Sequence, residues 1–425
     1  MSTVEVVGEP RKGLWQHPDF MKLWTAQTIS QFGSGIGGTA LELTAVLVLA
    51  ATPAEMGLLG AIGSAPVLVI GLLAGVWVDR LRRRPILMTA DIGRALLLLS
   101  IPLAFVFGVL HIAQLYVVAA LVGVLTVFFD VADQSLLPTL VHRDQLVEAN
   151  SKLGTSSSLA EIGGPALGGV LVQVLKAPFA ILIDAVSFLL SALALGLIRK
   201  VEPVPVPEEH SSVRRDVQEG LRVVLGNPVL RALAGSSGMF TFFGNFIGTM
   251  YTLYAVRELG VPPALVGSLI GLGGIGALLG ALIAGRVTQR FGLGPTLIGT
   301  LGFAGLVSLM IPLAGGPPLV AGTILGVNQL ISDVAIAVYL INDVSLRQAI
   351  IPERLLGRAS ASMHFLVGGA GPVGALVAGA VGEAFGPRVA LVIGSFGIMA
   401  AVTWLVFSPV RRLRTTPEAP EEPNV

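Results

Sequence analysis

Residues 75–84 read Gly-Val-Trp-Val-Asp-Arg-Leu-Arg-Arg-Arg and join two long apolar stretches of the chain. A short basic connection of this kind is typical of a loop on one face of a membrane. A related segment, Gly-Arg-Val-Thr-Gln-Arg-Phe-Gly, occupies residues 285–292, so that Gly75 and Arg80 recur 210 residues later as Gly285 and Arg290. The recurrence predicts a chain built from two copies of one unit.

The composition excludes several classes of protein. Of the 425 residues, 53% are hydrophobic and 12% are charged, and the mean hydropathy is +0.82. Soluble domains carry about 25% charged residues, so the composition argues against a soluble enzyme. The net charge of +1 and the lack of a basic domain argue against nucleic-acid binding. The absence of cysteine excludes disulfides and cysteine-ligated zinc.

A helix that spans a bilayer needs about 20 mostly apolar residues. Twelve stretches meet this requirement, at residues 22–49, 55–78, 85–108, 113–138, 145–175, 178–198, 229–256, 262–288, 294–314, 317–344, 353–383 and 387–408. The sequence therefore predicts an all-α membrane protein with twelve transmembrane helices in two parallel six-helix repeats. The expected divisions are an N-terminal tail (1–19), a first half (20–198), a linker (199–228), a second half (229–408) and a C-terminal tail (409–425).

The basic residues test this count. With an even number of spans, all but four of the 27 lysines and arginines fall on the side of both termini. The exceptions are Lys176, Arg257 and Arg388 in the opposite loops and Arg94 inside the third stretch. Because basic loops stay in the cytoplasm, we expect both termini to be cytoplasmic.

The linker has two parts. Residues 201–209 are rich in proline and predict an extended spacer. Residues 213–225 predict an amphipathic helix, with arginines on one side and valines and leucines on the other. This helix either lies on the cytoplasmic leaflet or is a solvated connector.

The segment at residues 75–84 resembles the G-x-x-x-D-R-x-G-R-R signature of the major facilitator superfamily, with Arg82 in place of the second glycine. Further segments resemble the bacterial branch that holds enterobactin-type siderophore exporters, macrolide and multidrug efflux proteins and a lysophospholipid flippase. These segments include 128–138, 184–188, 219–230 and 342–358, and the resemblance covers about residues 15–410. It implies the major facilitator fold and a location in the bacterial plasma membrane.

The resemblance also implies a cytoplasmic gate that latches the outward-facing state. Asp79 beside several arginines suits such a latch, since charge-assisted hydrogen bonds can lock two elements together. We expect Asp130, near the cytoplasmic end of the fourth stretch, to pair with Arg83. The complete predicted gate is Gly75, Asp79, Arg80, Arg83, Asp130 and Arg290.

A glycine-rich segment of the fifth stretch is similar to a motif associated with drug antiporters. It contains Gly164, Pro165, Gly168 and Gly169, with Ala160 where the motif has its first glycine. Ordinary close packing of helices explains the same residues without antiport. Gly164-Pro165 recurs as Gly371-Pro372 after 207 residues, which predicts a small deletion in the second copy.

Two polar stripes mark the first and seventh stretches, which line the cavity in the superfamily. The predicted cavity lining is Gln27, Gln31, Ser34 and Gly38 in the first, Ser237, Thr241, Asn245 and Thr252 in the seventh, and Gln329 in the tenth. A carboxylate at bilayer depth is costly and is usually functional or paired. Glu42 is therefore the first candidate for a proton-coupling site, followed by Asp333 and Glu161. For each, a structural hydrogen bond is the alternative.

Other charged residues have simpler expected roles. Asp91 and Arg94 lie three residues apart and predict an ion pair on one helix. Asp184 is expected to be structural. The chain has no Walker A phosphate loop, and the Gly-x-Gly-x-x-Gly pattern at residues 271–276 lies in an apolar stretch without a preceding strand. Helix packing explains that pattern better than a dinucleotide site.

The sequence predicts a secondary transporter, not an enzyme, that exports an amphipathic or lipophilic molecule such as a drug or siderophore in exchange for protons. It implies no cofactor and no metal, a proton gradient as the energy source, a small amphipathic substrate and membrane lipids as partners, no nucleic acid, and a monomer. Three alternatives remain at this stage: a lysophospholipid or lipid flippase, an uncoupled facilitator of a small nutrient, and a membrane receptor or scaffold that does not transport.

Overall fold

The computed structural model describes residues 13–78, 80–200, 213–415 and 417. Within them the chain forms only helices. The α-helices are α1 (Pro18–Leu43), α2 (Pro53–Val78), α3 (Arg83–Val106), α4 (Ile112–Leu140), α5 (Leu146–Leu175), α6 (Ala177–Gly196), α7 (Val213–Gly226), α8 (Pro228–Leu253), α9 (Pro263–Phe291), α10 (Leu293–Ser308), α11 (Met310–Leu313), α12 (Pro318–Ile350), α13 (Glu353–Phe385) and α14 (Pro387–Val406). The predicted proline-rich spacer and Asp79 lie outside the described residues.

Local signals set several helix ends. The Asn227 side chain accepts hydrogen bonds from the backbone N–H groups of Val229 and Leu230 and so caps the start of α8. Between α5 and α6, Lys176 has φ 74°, and Gly386 has φ 89° between α13 and α14. Both tight turns need a left-handed residue, which costs glycine little and a lysine more.

In the described part of the chain, ten helical segments are long and apolar enough to cross a membrane: α2 to α6, α9, α10 with its short continuation α11, and α12 to α14. Helices α1 and α8 are equally long, at 26 residues each. They are not among these ten because the polar stripes that they carry lower their mean hydropathy. Each packs inside its own half, α1 against α5 and α6 and α8 against α13 and α14. The architecture is therefore two six-helix bundles with one polar central helix each.

The two bundles repeat with an offset of 210 residues. Helices α1 and α8 each end in a π-helical turn, at Thr44–Val48 and Tyr254–Glu258. The same offset relates the ends of α4 and α12 and the ends of α5 and α13. The predicted deletion in the second copy is therefore wrong.

The structural equivalent of Gly164 is Gly374 instead of Gly371. A Cβ on Gly164 would lie 3.4 Å from the Phe32 carbonyl oxygen, and a Cβ on Gly374 would lie 2.3 Å from that of Phe242. Phe32 and Phe242 are again 210 residues apart. Because both glycines face equivalent residues, the proline alone is displaced, by about one helical turn.

The helix ends form two faces. On the first, which we call the terminal face, the start of α1 meets the end of α6 through a hydrogen bond from Lys22 Nζ to the Leu197 carbonyl (2.7 Å). The N–H of Leu293, at the start of α10, binds the Arg414 carbonyl (3.2 Å) on the same face. On the opposite, distal face, Arg388 Nε donates to the Pro312 carbonyl (2.6 Å).

The linker helix α7 packs against α13 on the terminal face. Glu219 forms an ion pair with Arg358 of α13. A Cβ on Gly220 would lie 2.3 Å from the Arg358 carbonyl oxygen, so the two backbones touch at this glycine. Val224 is fully buried. The apolar side of α7 is therefore covered by protein at Val224, while Leu225 is 49% exposed.

Candidate functional site

A cavity of about 760 Å³ lies between the two halves. Its first wall comes from α1, α3, α4, α5 and α6, and its second from α9 and α12. A neighbouring cavity of about 470 Å³ shares Gln27, Gln31 and Asp133 with it and reaches Pro138 and Leu146, close to the terminal face. The polar space thus runs from the middle of the bundle toward the terminal face. Its size suits a drug-sized molecule.

The polar stripe of α1 forms part of the first wall. Gln27, Gln31 and Ser34 all line the cavity. The Gln27 amide donates a hydrogen bond to Asp133 of α4. In the second half, Ser237 donates to Asp343 (3.5 Å), and these two residues lie 210 positions after Gln27 and Asp133. The link between the central helix and the fourth helix of each half is thus repeated.

Two of the three candidate proton sites line the cavity from opposite halves. Glu161 of α5 is exposed to the space, and Asp333 of α12 lies on the other wall. The Gln329 amide donates to the Asp333 carboxylate. A Cβ on Gly273 of α9 would lie 2.4 Å from Asp333 Oδ2, so the carboxylate occupies space that any side chain at this position would fill. The two carboxylates therefore lie on opposite walls of the cavity.

Arg94 is the cationic side chain of the cavity wall. It is buried, forms an ion pair with Asp91 and lies between the rings of Phe129 and Phe188, 4.3 and 4.1 Å from their centroids. The predicted pairing of Asp91 with Arg94 is therefore confirmed. Two aromatic faces and one carboxylate stabilise a guanidinium that water reaches poorly. No sequence signal pointed to the aromatic contacts, because the rings come from α4 and α6.

Asp130 lies deeper in the bundle than the start of α3. It is exposed to the cavity, in the wall that also contains Arg94. About 16 Å of helix separates Arg83, the first residue of α3, from Arg94 on the same helix. Asp130 therefore lies in the same cavity wall as Arg94, deeper than the loop, and its pairing with Arg83 in the outward-facing state stays a prediction.

Three further predicted gate residues, Gly75, Arg80 and Arg290, lie at the terminal face. Gly75 belongs to the last turn of α2, and Arg80 is exposed in the short connection to α3. Arg290, near the end of α9, is exposed and lies over the Phe291 ring, 5.7 Å from its centroid.

Glu42, the first candidate proton site, lies outside the cavity in the closed distal part of the bundle. Thr252 Oγ1 donates a hydrogen bond to Glu42 Oε2 at 2.6 Å. Nearby, Arg257 Nη2 donates to the Val46 carbonyl at 2.9 Å. Both contacts join α1 to α8 and therefore join the two halves. Glu42 and Thr252 are also repeat equivalents, 210 residues apart, so they meet near the pseudo-symmetry axis.

Two seams of glycine complete the distal closure. A Cβ on Gly169 of α5 would lie 2.9 Å from Gly267 Cα of α9, and a Cβ on Gly57 of α2 would lie 2.6 Å from Gly379 Cα of α13. The repeat offset converts one pair into the other. Glycine permits this backbone approach, which any larger residue prevents. The antiporter-like motif therefore has two packing roles: Gly164 and Gly168 face α1, while Pro165 and Gly169 face α9.

Several residues of the α8 stripe do not line this cavity. Ser237 is buried against Tyr339 (3.1 Å), and the Asn245 amide donates to the Thr241 carbonyl (2.8 Å) beside α13. Gly38 is exposed, with open space around it. In the second half, the cavity is lined by α9 and α12 instead.

Among the described residues, no group of three or more His, Asp or Glu side chains is placed to hold a metal ion.

Comparisons with known proteins place these features in a family. The protein-family model described as Major Facilitator Superfamily matches residues 23–349. The multidrug efflux pump Tap of Mycolicibacterium fortuitum is 31% identical over 83% of this chain and 86% of its own. The uncharacterized transporter YfiS of Bacillus subtilis is 31% identical over 63% of both chains. The enterobactin exporter EntS of Escherichia coli is 24% identical over 94% of both chains.

Solved structures agree on the fold. The nucleoside transporter NupG superposes with a TM-score of 0.76 at 12% identity, over 91% of this chain and 98% of that one. At this identity the likeness concerns the fold alone.

Proposed function

Because this chain belongs to the Major Facilitator Superfamily, we propose that it is a proton-coupled exporter of amphipathic cations that works by alternating access. The terminal face is assigned to the cytoplasm, since nearly all basic residues lie there. The cavity then faces the cytoplasm while the distal seams exclude the outside. This is the state in which an exporter loads its substrate.

The charge of the cavity wall carries the proposal. Among the described residues, four carboxylates line the space, those of Asp130, Asp133, Glu161 and Asp333, against the one guanidinium of Arg94. Arg94 is already paired with Asp91. A wall with this balance favours a positively charged ligand and repels an anion. Among the substrates that the sequence suggested, it favours a cationic drug over an anionic siderophore.

Carboxylates on opposite walls also suit coupling to protons. A substrate cation and a proton compete for the same negative charge when they bind Glu161 or Asp333. Rocking of the halves would expose these groups to the two sides in turn. Entry of protons from outside would then displace the cation outward. Glu42 at the distal closure would meet the outside solution first when the seams open.

The test uses purified protein in proteoliposomes with an acid interior and a pH-sensitive dye. We expect tetraphenylphosphonium to release protons, an anionic siderophore to release none, and the double variant Asp333→Asn/Glu161→Gln to lose the response. The variant Thr323→Val, on the exposed side of α12, is the matched control. Proton release by the siderophore alone would overturn the choice of cation.

The same assay separates the remaining functions. Flipping of labelled lysophospholipid without proton movement would replace the exporter with a lipid flippase. Uptake of a small polar solute, again without protons, would indicate a facilitator. No flux of any compound by folded protein would leave a receptor or scaffold.

A further inference from the structure

A second pocket, of about 520 Å³, lies within the first half and away from the transport cavity. It is formed by the terminal-face ends of α3, α4 and α6. Four basic residues line it: Arg82, Arg84, Arg199 and Lys200. Among the residues that the structure describes, no acidic side chain lines it. Its remaining walls are mostly apolar and include Met88, Ile92, Leu136, Leu140 and Ile198.

The basic and apolar parts of this pocket are separated along the membrane normal. Arg84 lies in the first turn of α3, and Ile92 lies eight residues deeper, which is about 12 Å along the helix. Ile92 is 41% exposed and Leu96, one turn further on, is 62% exposed. The apolar wall is thus continuous with the lipid-facing side of α3. The charged rim lies at headgroup level and the apolar wall at the level of acyl chains.

The four basic side chains fall into two kinds. Arg84 Nε donates to the Leu195 carbonyl (2.9 Å), and Lys200 Nζ donates to the Leu140 carbonyl (3.1 Å), which fixes both groups in place. In the described part of the chain, the exposed side chains of Arg82 and Arg199 make no hydrogen bond or ion pair. Two fixed and two uncommitted cations therefore surround the mouth of one pocket.

We propose that this pocket binds an anionic phospholipid, with its phosphate among the four basic residues and one acyl chain along Met88 and Ile92. Charge complementarity identifies the headgroup, because basic pockets between transmembrane helices attract anionic lipids. The apolar wall identifies a lipid over a soluble anion, which has nothing to place there. The site is independent of the substrate and of proton coupling.

The charge test measures binding of phosphatidylglycerol and phosphatidylethanolamine to the purified full-length protein by native mass spectrometry. The test variant is Arg82→Gln/Arg199→Gln, and the control is Arg143→Gln/Arg286→Gln, which removes two exposed terminal-face arginines outside the pocket. Since each basic residue contributes about fivefold to affinity for an anionic lipid, we expect about 25-fold weaker phosphatidylglycerol binding in the test variant and less than about twofold in the control. Equal binding of both lipids, or no loss in the test variant, would overturn the proposal.

A second pair of variants tests the apolar wall with all charges kept. Thr89 lines the pocket, and Thr323 of α12 is its match elsewhere, because both are exposed and each hydroxyl donates to the carbonyl four residues earlier at 2.8 Å. Thr89→Trp should fill the groove and weaken lipid binding, whereas Thr323→Trp should not. If free glycerol phosphate competes as well as the intact lipid, the pocket is a soluble-anion site and the lipid assignment fails.

Discussion

At the residue scale, a substitution of Glu42 distinguishes a proton-binding role of this carboxylate from a purely structural one. Its carboxylate accepts a hydrogen bond from Thr252 across the two halves. A glutamine can accept the same bond but cannot bind a proton at physiological pH. We therefore expect Glu42→Gln to keep the closed distal side and substrate binding, while proton-coupled export falls to the level of empty vesicles. Dye-monitored proton release in proteoliposomes measures the loss.

Thr252→Val is the complementary variant. It removes the hydrogen bond and leaves Glu42 able to titrate, so proton-coupled export should persist while the distal side opens more often. Coupled export by Glu42→Gln at the rate of the unaltered protein would show that Glu42 is a packing residue. The proton site would then be sought at Asp333 and Glu161 alone.

Arg94 makes a prediction about stability. Its guanidinium neutralises Asp91, which is fully buried. Removing one member of a buried ion pair leaves an uncompensated charge and costs about 3 to 5 kcal/mol. We expect Arg94→Met to lower the free energy of unfolding by about this amount in denaturant titrations in detergent. Because the double variant Asp91→Asn/Arg94→Met removes both charges of the pair, it should recover part of the loss.

A second ion pair with the same spacing provides the control. Lys22 and Asp19 are also three residues apart, at the partly exposed terminal end of α1. Exposed pairs contribute about 0 to 1 kcal/mol, so Lys22→Met should cost far less than Arg94→Met. Equal losses from the two variants would contradict the special role of the buried pair.

Single residues also show which contacts could be predicted from the sequence and which could not. The pairing of Asp91 with Arg94 could be predicted because it depends only on spacing along one helix. The depth of Asp130 beside Arg94 could not, since it depends on how α4 lies against α3. The same limit explains why Asp133, which binds Gln27 of α1, was not among the predicted site residues.

At the element scale, the glycine seams predict a shift between conformations. A Cβ on Gly169 would lie 2.4 Å from the Pro263 carbonyl and 2.9 Å from Gly267 Cα. Both obstacles are backbone atoms, so no side chain can move aside. We expect Gly169→Leu to force α5 and α9 apart and to shift the population toward a state open at the distal face.

Double electron–electron resonance, which measures distances between spin labels, would detect this shift in the conformational population. The chain has no cysteine, so paired cysteines introduced at Val109 and Leu319 report the distal opening, and a pair at Val147 and Phe407 reports the terminal one. In Gly169→Leu the first distance should lengthen and the second should shorten. Gly299→Leu, at a glycine of α10 with open space around it, should change neither. Unchanged distances in Gly169→Leu would show that the seams do not hold the halves.

Packing also decides how the glycine patterns are read. The Gly-x-Gly-x-x-Gly pattern of α9 meets neighbouring helices: a Cβ on Gly271 would lie 2.4 Å from the Ile162 carbonyl, and one on Gly276 would lie 2.6 Å from the Leu330 carbonyl. Helix packing was the sequence interpretation. The residue that each glycine contacts could not be predicted from the sequence, because a stripe of small residues predicts close approach without identifying the neighbouring helix.

At the scale of the whole molecule, the repeat was the strongest sequence signal. The matching positions around Gly75 and Gly285 predicted two parallel copies, and most of the helix bounds follow the same offset. The polar contacts follow it as well, in Gln27 with Asp133 and Ser237 with Asp343. What the repeat could not predict is the asymmetry of the cavity. The second half contributes α9 and α12, while Ser237 and Asn245 of the α8 stripe contact residues of their own bundle. Which helices line the cavity depends on the conformation that the halves adopt.

The distribution of basic residues predicts the orientation of the whole molecule in the membrane, with the terminal face in the cytoplasm. Val147 lies 82% exposed at the start of α5 on the terminal face, and Leu319 lies 76% exposed at the start of α12 on the distal face. In intact cells, a membrane-impermeant maleimide should label Leu319→Cys and leave Val147→Cys unlabelled. Because the natural chain has no cysteine, it serves as the blank. Permeabilised cells should label both variants, and the reverse pattern in intact cells would invert the orientation and with it the direction of transport.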